Sequence, residues 1–491
     1  MSQHTPREDA VPPPRTTPRR ALIATTGTAL LGTALTGATA LPATAVSAPP
    51  GPAPYPPPGA GLPATAQRPG RELRELLARI DEERVERTVR ALASFGTRHT
   101  LSSQDDPRRG IGAARDWLFG ELKRYAAVSG GRMSVRLQSF VQEPGPRIPE
   151  PTRITNVVAT LRGTTDPGRV HVVSGHYDSR ASDPMDAVSD APGADDDASG
   201  VAVVLELARV FARARPAATL VFAAVAGEEQ GLYGAAHMAA AFKAAGVDVQ
   251  SMFTNDIVGS PVAEDGTEDP FAVRLFAEGV PSSETPAEAA VRRSVGGEND
   301  SPSRQLARFV RDVAENEATG MRVRVIHRRD RYLRGGDHIP FLERGFPAAR
   351  FTEPAENYAH QHQNVRTEDG VRYGDLPDFC DHAYIARVAR VNAATLWSLA
   401  HAPGTPADVR VLTGELTNAT ELVWRRSEES DTAGYEIVWR ETSAPEWTHV
   451  VPVGNTTRHR IELSKDNVFF GVRAIGRNGL RSPVVFPLPR R

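Results

Sequence analysis

The spacing of apolar positions changes period along the chain, and the changes mark its parts. From Gly70, Leu73, Leu76, Leu77, Ile80, Val85, Val89, Leu92 and Phe95 recur three and four residues apart, as on one face of a helix, until Gly96 stops them. A second helical pattern covers about 111–127, and an apolar strand follows at about 152–161. Beyond it, strand-like runs at 170–174, 219–225 and 251–255 alternate with helix-like runs at 199–214 and 232–245. A helix over 304–319, a strand over 322–327, a short helix over 339–344, a strand over 348–352 and a closing helix over 381–400 continue the series. This alternation predicts an α/β domain with a largely parallel sheet covered by helices on both faces. After Pro403-Gly404 the period drops to two. Short runs near 409–412, 421–425, 435–440, 448–452, 458–463 and 468–475 predict an all-β sandwich over 405–491.

The first 69 residues fit neither pattern. Thr17-Pro18-Arg19-Arg20-Ala21-Leu22-Ile23 leads into a weakly apolar run, and Ala43-Thr44-Ala45 supplies a small-x-small cleavage pattern. Residues 1–45 therefore read as a twin-arginine-like signal peptide, which implies an exported protein without a stable membrane anchor. Residues 46–69, rich in Pro, Ala and Gly, read as a flexible linker. The stretch 260–303 is acidic and interrupted by Gly and Pro, and reads as an insertion beside the cleft of the 70–401 domain.

Composition narrows the chemistry. A length of 491 residues implies two or three domains, and a net charge of -2 gives no electrostatic case for nucleic acid or an anionic membrane. Cys380 is the single cysteine, so thiolate metal sites are excluded, while 13 His and 60 acidic residues offer other ligands. Those ligands cluster between Val172 and Gly259. His176 and Asp178 follow one apolar run, Glu228 and Glu229 follow another, Asp256 follows a third, and Asp196 lies in a Gly-bounded loop before a helix. Carboxylates at the ends of buried strands are costly unless positive charge meets them. In open α/β sheets those strand ends are where ligands bind. A pair of metal ions is the expected counter-charge.

Taken in order, H-Y-D-S (176–179), G-A-D-D-D-A-S-G (193–200), G-E-E-Q-G-L-Y-G (227–234) and D-H-x-x-F (337–341) resemble the secreted bacterial di-zinc aminopeptidases. These leucyl-type co-catalytic enzymes are related to the glutamate carboxypeptidase and transferrin-receptor ectodomains. The resemblance covers about 70–401 and implies a three-layer α/β/α fold with a mixed, mostly parallel sheet. It also implies two zinc ions, held by His176, Asp196, Glu229, Asp256 and His360, with Asp196 shared between them. His362 competes with His360 for the last place. Glu228 takes the part of general base, Asp178 orients His176, and Asn364 supports the last histidine. Tyr358 is a candidate donor to the developing oxyanion, and Asp337 and His338 are candidate substrate contacts at the rim. Peptides with a free N-terminus are the implied substrates.

Two other activities fit parts of the pattern: a glutaminyl-cyclase-like acyltransferase with a single zinc, and a receptor-like ectodomain that has lost catalysis. Y-E-I-V-W-R (435–440) and F-F-G-V-R-A-I-G (469–476) resemble a fibronectin type III domain, whose ligand the sequence does not name. His171 and His237 fall inside element patterns and read as structural. His327 has no ligand spacing, and Asp195 and Asp197, which flank the shared aspartate, read as acceptors for loop amides or as solvent-facing acids.

Overall fold

The structure is a computed structural model and describes residues 60–427, 429 and 431–490. The signal-peptide-like segment 1–45 and residues 46–59 lie outside the described residues.

Eight strands form the central sheet, in the order Met133–Gln142, Thr152–Leu161, Ala218–Val225, Asp166–His176, Asp248–Asn255, Ala348–Thr352, Ala272–Phe276, Arg322–Ile326. The four strands from Ala218–Val225 to Ala348–Thr352 in that order pair in parallel, as do the last two; the remaining junctions are antiparallel. Side chains alternate between the faces, as the strand period requires. Val173, Phe222 and Phe253 pack with helices Glu82–Ala93, Gly200–Phe211 and His382–His401. Val172, Val221 and Met252 pack with Tyr233–Ala244 and Ile339–Leu342 on the other face. The result is the expected three-layer α/β/α domain with a mixed sheet.

Three departures from the sequence reading have local causes. The first helical pattern is two helices, Arg71–Leu77 and Glu82–Ala93. Asp81 opens the second, its side chain accepting from the amides of Glu83 (3.0 Å) and Arg84 (3.4 Å). The apolar period runs unbroken through this cap, which hides it. The edge strand Met133–Gln142 was not predicted, because it exposes Leu137 and Val141 and alternates poorly. The stretch 260–303 is no mere insertion: Ala272–Phe276 lies inside the sheet, and Pro286–Ser294 is a helix with a Thr285/Glu288 capping box.

The C-terminal part is a sandwich of two four-stranded sheets around Leu422, Trp424, Tyr435, Ile437, Trp439, Phe470 and Val472. Residues 60–67 are not a free linker. Leu62–Pro63 adds to the edge strand His449–Gly454, and Arg481 N donates to Gln67 Oε1 (2.9 Å). An open strand edge offers unpaired backbone groups, and this segment takes them.

The sandwich is locked to the α/β/α domain by buried charge. Asp300 accepts from Arg308 Nη1 (2.8 Å), Gln305 Nε2 (2.9 Å) and Arg440 Nη2 of the sandwich (2.7 Å), with all three charged side chains nearly inaccessible. Trp447 Nε1 donates to Gln305 Oε1 (3.0 Å), extending the junction. Removing one partner of such a group leaves uncompensated buried charge, at a cost of about 3–5 kcal/mol. Asp300→Ala is therefore expected to lower stability by roughly that amount, with both parts still melting together in calorimetry, since the junction is shared.

Candidate metal centre

The acids and histidines converge at the carboxyl ends of the central parallel strands. Asp166–His176 ends in His176, Asp256 follows Asp248–Asn255, and Glu228–Glu229 follow Ala218–Val225 at the start of a short helical turn. Asp196 arrives on the loop before helix Gly200–Phe211. That loop must come close to the sheet. A Cβ at Gly200 would stand 2.1 Å from the Asn255 carbonyl oxygen, and Gly193 sits at φ +52 against Ser179. Both glycines are required by these approaches.

Two ligand groups result: His176, Asp196 and Asp256, and Asp196, Glu229 and His362. Within each, one potential ligand atom per residue lies within 4.8 Å of the others. His176 Nε2 is 3.0 Å from Asp196 Oδ1 and 3.8 Å from Asp256 Oδ1. His362 Nε2 is 2.9 Å from Asp196 Oδ2 and 2.8 Å from Glu229 Oε1. The two oxygens of Asp196 thus face opposite ways, one into each group.

The last histidine is His362, not His360. His360 is stacked on Phe379, with ring centroids 3.6 Å apart, and has no contact with the acids. The two histidines have the same parity along the chain, but the backbone between them turns. His362 sits at φ +51, and this left-handed residue swings its ring inward. Asn364 accordingly loses its supporting part. Its Oδ1 accepts from Ser182 N (3.1 Å) and its own amide donates to Ser182 Oγ (2.9 Å), so it clamps two rim loops together. Tyr358 is 55% exposed and its hydroxyl makes no hydrogen bond to the cluster. The structure gives it no catalytic contact.

The supporting shell is built from carboxylates that accept backbone N–H groups. Asp178 accepts from Glu228 N (3.3 Å), Glu229 N (3.1 Å) and Thr100 Oγ1 (3.1 Å), and its own carbonyl oxygen accepts from His176 Nδ1 (3.1 Å). That contact leaves Nε2 of His176 facing the cluster. Asp197 accepts from His176 N and Gly200 N, both at 2.9 Å, and Asp195 accepts from Gly259 N (2.6 Å). Asp375, which the sequence reading missed, accepts from Asp195 N (2.7 Å) and Asp196 N (2.8 Å) and so holds the shared ligand in place. Arg350 was also missed. Fully buried, it lies 2.8 Å from Asp256 Oδ2 and donates to the Asp256 carbonyl (3.2 Å). Neither has motif spacing; both are distant in sequence from the residues they hold.

Asp337 and His338 are buried beneath the site and not at its rim. Both Asp337 oxygens are buried without a partner, while His338 Nε2 is 2.8 Å from the Arg329 carbonyl oxygen. Burial pushes the Asp337 carboxyl up to about 8, against the pull of His176. His171 is held by Ser251 (2.9 Å) and His237 stacks on Phe140, both structural as read.

The charge balance tests whether cations fit. Asp178, Asp196, Asp197, Glu229, Asp256 and Asp337 are each at most 5% exposed, with Arg350 the arginine paired to the ligand carboxylates within 3 Å. His176 Nε2 and Asp196 Oδ1 are buried without a hydrogen bond although 3.0 Å apart. Burial alone would hold His362 neutral, yet Glu229 and Asp196 push it up to about 10. His176 is likewise raised against its burial, by Glu228 and by Asp178, Asp196 and Asp256. The cluster draws positive charge to the very nitrogens that would ligate a metal, and an all-His/carboxylate donor set suits zinc. The residues fit the ion.

Comparison with known proteins points the same way. Residues 156–376 match the model of Peptidase family M28. A probable zinc metalloprotease of Leptosphaeria maculans is 53% identical over 431 residues, covering 88% of this chain and 100% of that protein. The chain belongs to peptidase family M28. It is a zinc metallopeptidase. A Pyricularia oryzae relative, also a probable zinc metalloprotease, is 52% identical over 443 residues, covering 89% of this chain and 88% of its own. These relatives are fungal, whereas the motifs were likened to bacterial enzymes. Among solved structures, the Legionella pneumophila LapA aminopeptidase superposes with a TM-score of 0.47 at 18% identity, over 67% of this chain and 73% of that one. An Aneurinibacillus aminopeptidase has a TM-score of 0.47 at 16% identity, over 67% and 96%.

The two histidines are separable by experiment. His362→Ala in this M28 peptidase is expected to weaken zinc retention by more than about tenfold, and Asp375→Asn by about tenfold through the shared ligand's backbone. His360→Ala should leave zinc content per chain unchanged when measured by elemental analysis.

Proposed function

We propose that this M28 peptidase is a di-zinc aminopeptidase that removes N-terminal residues from peptides. The observation that carries the reading is Asp196, whose two oxygens serve two separate ligand groups. His176 and Asp256 complete one group, and Glu229 and His362 the other. Zinc, when bound, supplies Lewis-acid chemistry to carbonyl and water.

The chain's own groups do the rest. Glu228 belongs to neither ligand group, so its carboxylate is not committed as a ligand and can move a proton. Its backbone amide is fixed by Asp178, which sets the side chain over the cluster. Burial and the negative charges of Asp256, Glu229 and Asp337 hold the Glu228 carboxyl well above its usual range, opposed by His176. Positive charge bound at the cluster works in the opposite sense, toward the ionised form a base needs. Glu228 then accepts the proton of the attacking water and delivers it to the departing amine. Arg350 keeps Asp256 ionised by direct contact, outweighing its burial.

The buried acids of the cluster would attract a substrate α-amine, which favours an aminopeptidase. Export through the twin-arginine-like segment is part of the same reading. The C-terminal sandwich, with its likeness to fibronectin type III, acts as a fixed support and not as a tethered module.

Glu228→Gln is expected to lower kcat about 10³-fold while zinc content stays at two per chain. Full activity with one zinc per chain would favour a cyclase-like acyltransferase instead. Cleavage of N-acetylated peptides as fast as free ones would overturn the aminopeptidase assignment.

A further inference from the structure

The segment His327–Gly336 reads H-R-R-D-R-Y-L-R-G-G, with four arginines, one acid and two large apolar residues together. It leaves strand Arg322–Ile326 and ends beside the metal centre, where the backbone at Gly336 faces Asp256 and Arg350. Its polar groups are tied inward. Asp330, nearly inaccessible, lies 3.7 Å from the Arg350 nitrogen that contacts Asp256. Arg331 Nη2 donates to the Gly335 carbonyl (3.0 Å) and Nη1 to Glu356 Oε2 (3.3 Å). Arg334 Nη1 donates to Glu356 Oε2 (2.6 Å) and Nη2 to Gln361 Oε1 (3.4 Å), next to His362.

The tip does the reverse. Tyr332 is 75% and Leu333 96% exposed, and Leu333 holds φ +58. A leucine in the left-handed region costs about 1 kcal/mol or more, and this one gains no packing in return. Single exposed apolar residues are ordinary. Two in succession, one strained, on a backbone braced against a catalytic centre, call for a ligand. Arg328 lies over the Tyr332 ring at 5.0 Å, and among the described residues no carboxylate pairs with it.

We infer that residues 328–334 form a specificity arm for the part of the substrate downstream of the scissile bond. Tyr332 and Leu333 receive an apolar side chain, and Arg328 receives an adjacent carboxylate. The inference rests on the aminopeptidase reading: a peptide entering N-terminus first leaves the cleft across its rim, where the arm stands.

The test uses the full-length zinc enzyme with leucinamide, Leu-Gly-Gly-amide, Leu-Phe-Gly-amide and Leu-Phe-Asp-amide. Wild type should prefer the Phe peptides, and Leu-Phe-Asp-amide most. Tyr332→Ala and Leu333→Gly should each lower kcat/KM for the Phe peptides about tenfold, through KM, as expected for losing part of one apolar contact. Arg328→Ala should remove the preference for Asp over Gly. Leucinamide, whose leaving group is ammonia and reaches no part of the arm, should be cleaved at wild-type rates by all three. Leu333→Gly suits a positive φ, so its Tm should hold or rise, separating loss of contact from loss of fold. Equal wild-type rates on the three peptides, or losses shared by leucinamide, would overturn the arm while leaving the aminopeptidase standing. Failure on leucinamide together with cleavage of N-acetylated peptides would overturn both.

Discussion

The constraint on which this structure depends is the concentration of buried negative charge at one end of a parallel sheet. Six carboxylates of the cluster are nearly inaccessible, and isolated charges in that setting are prohibitively unstable. The chain meets the demand in three ways. Arg350 neutralises Asp256 directly. Backbone amides satisfy Asp178, Asp195, Asp197 and Asp375. Asp196, Glu229 and Asp256, with His176 and His362, form the two groups that could hold a cation. The fold and the metal requirement are thus one electrostatic arrangement.

The same arrangement sets the rigidity of the site. Every ligand sits on a strand end or on a loop pinned by a carboxylate. Arg98, fully buried, donates to the carbonyls of Tyr177 (2.7 Å), Leu92 (3.0 Å) and Gly193 (2.8 Å), joining the His176 strand end to the Asp196 loop. Its burial pulls it down to about 10 despite the surrounding acids, which keeps it charged at neutral pH. Backbone hydrogen bonds define this frame, and zinc held there would complete its charge balance.

The sandwich belongs to the frame as well. Arg440, Trp447 and the added strand Leu62–Pro63 connect it to the α/β domain at Asp300, Gln305 and the segment that leads into helix Arg71–Leu77. The stretch that looked like an insertion is what makes this possible, since it supplies both a sheet strand and Asp300. Period-two runs and Pro/Gly breaks describe local segments. They carry no information about which segments share a buried ion.

Periodicity by itself determined the α/β/α layering, the parallel centre of the sheet and the sandwich, because burial on one or both faces leaves a regular imprint on the chain. Motif order likewise marked His176, Asp196, Glu229 and Asp256, which the fold brings together, since each lies at the end of a legible strand or at the head of a helix. Only tertiary structure decided between His360 and His362. Two residues apart, they differ by a single left-handed backbone conformation that turns one ring to the acids and the other onto Phe379. Asp375 and Arg350 were invisible for a related reason. Each acts on a residue more than ninety positions away, and such partners are chosen by the folding of the whole sheet, not by spacing along it.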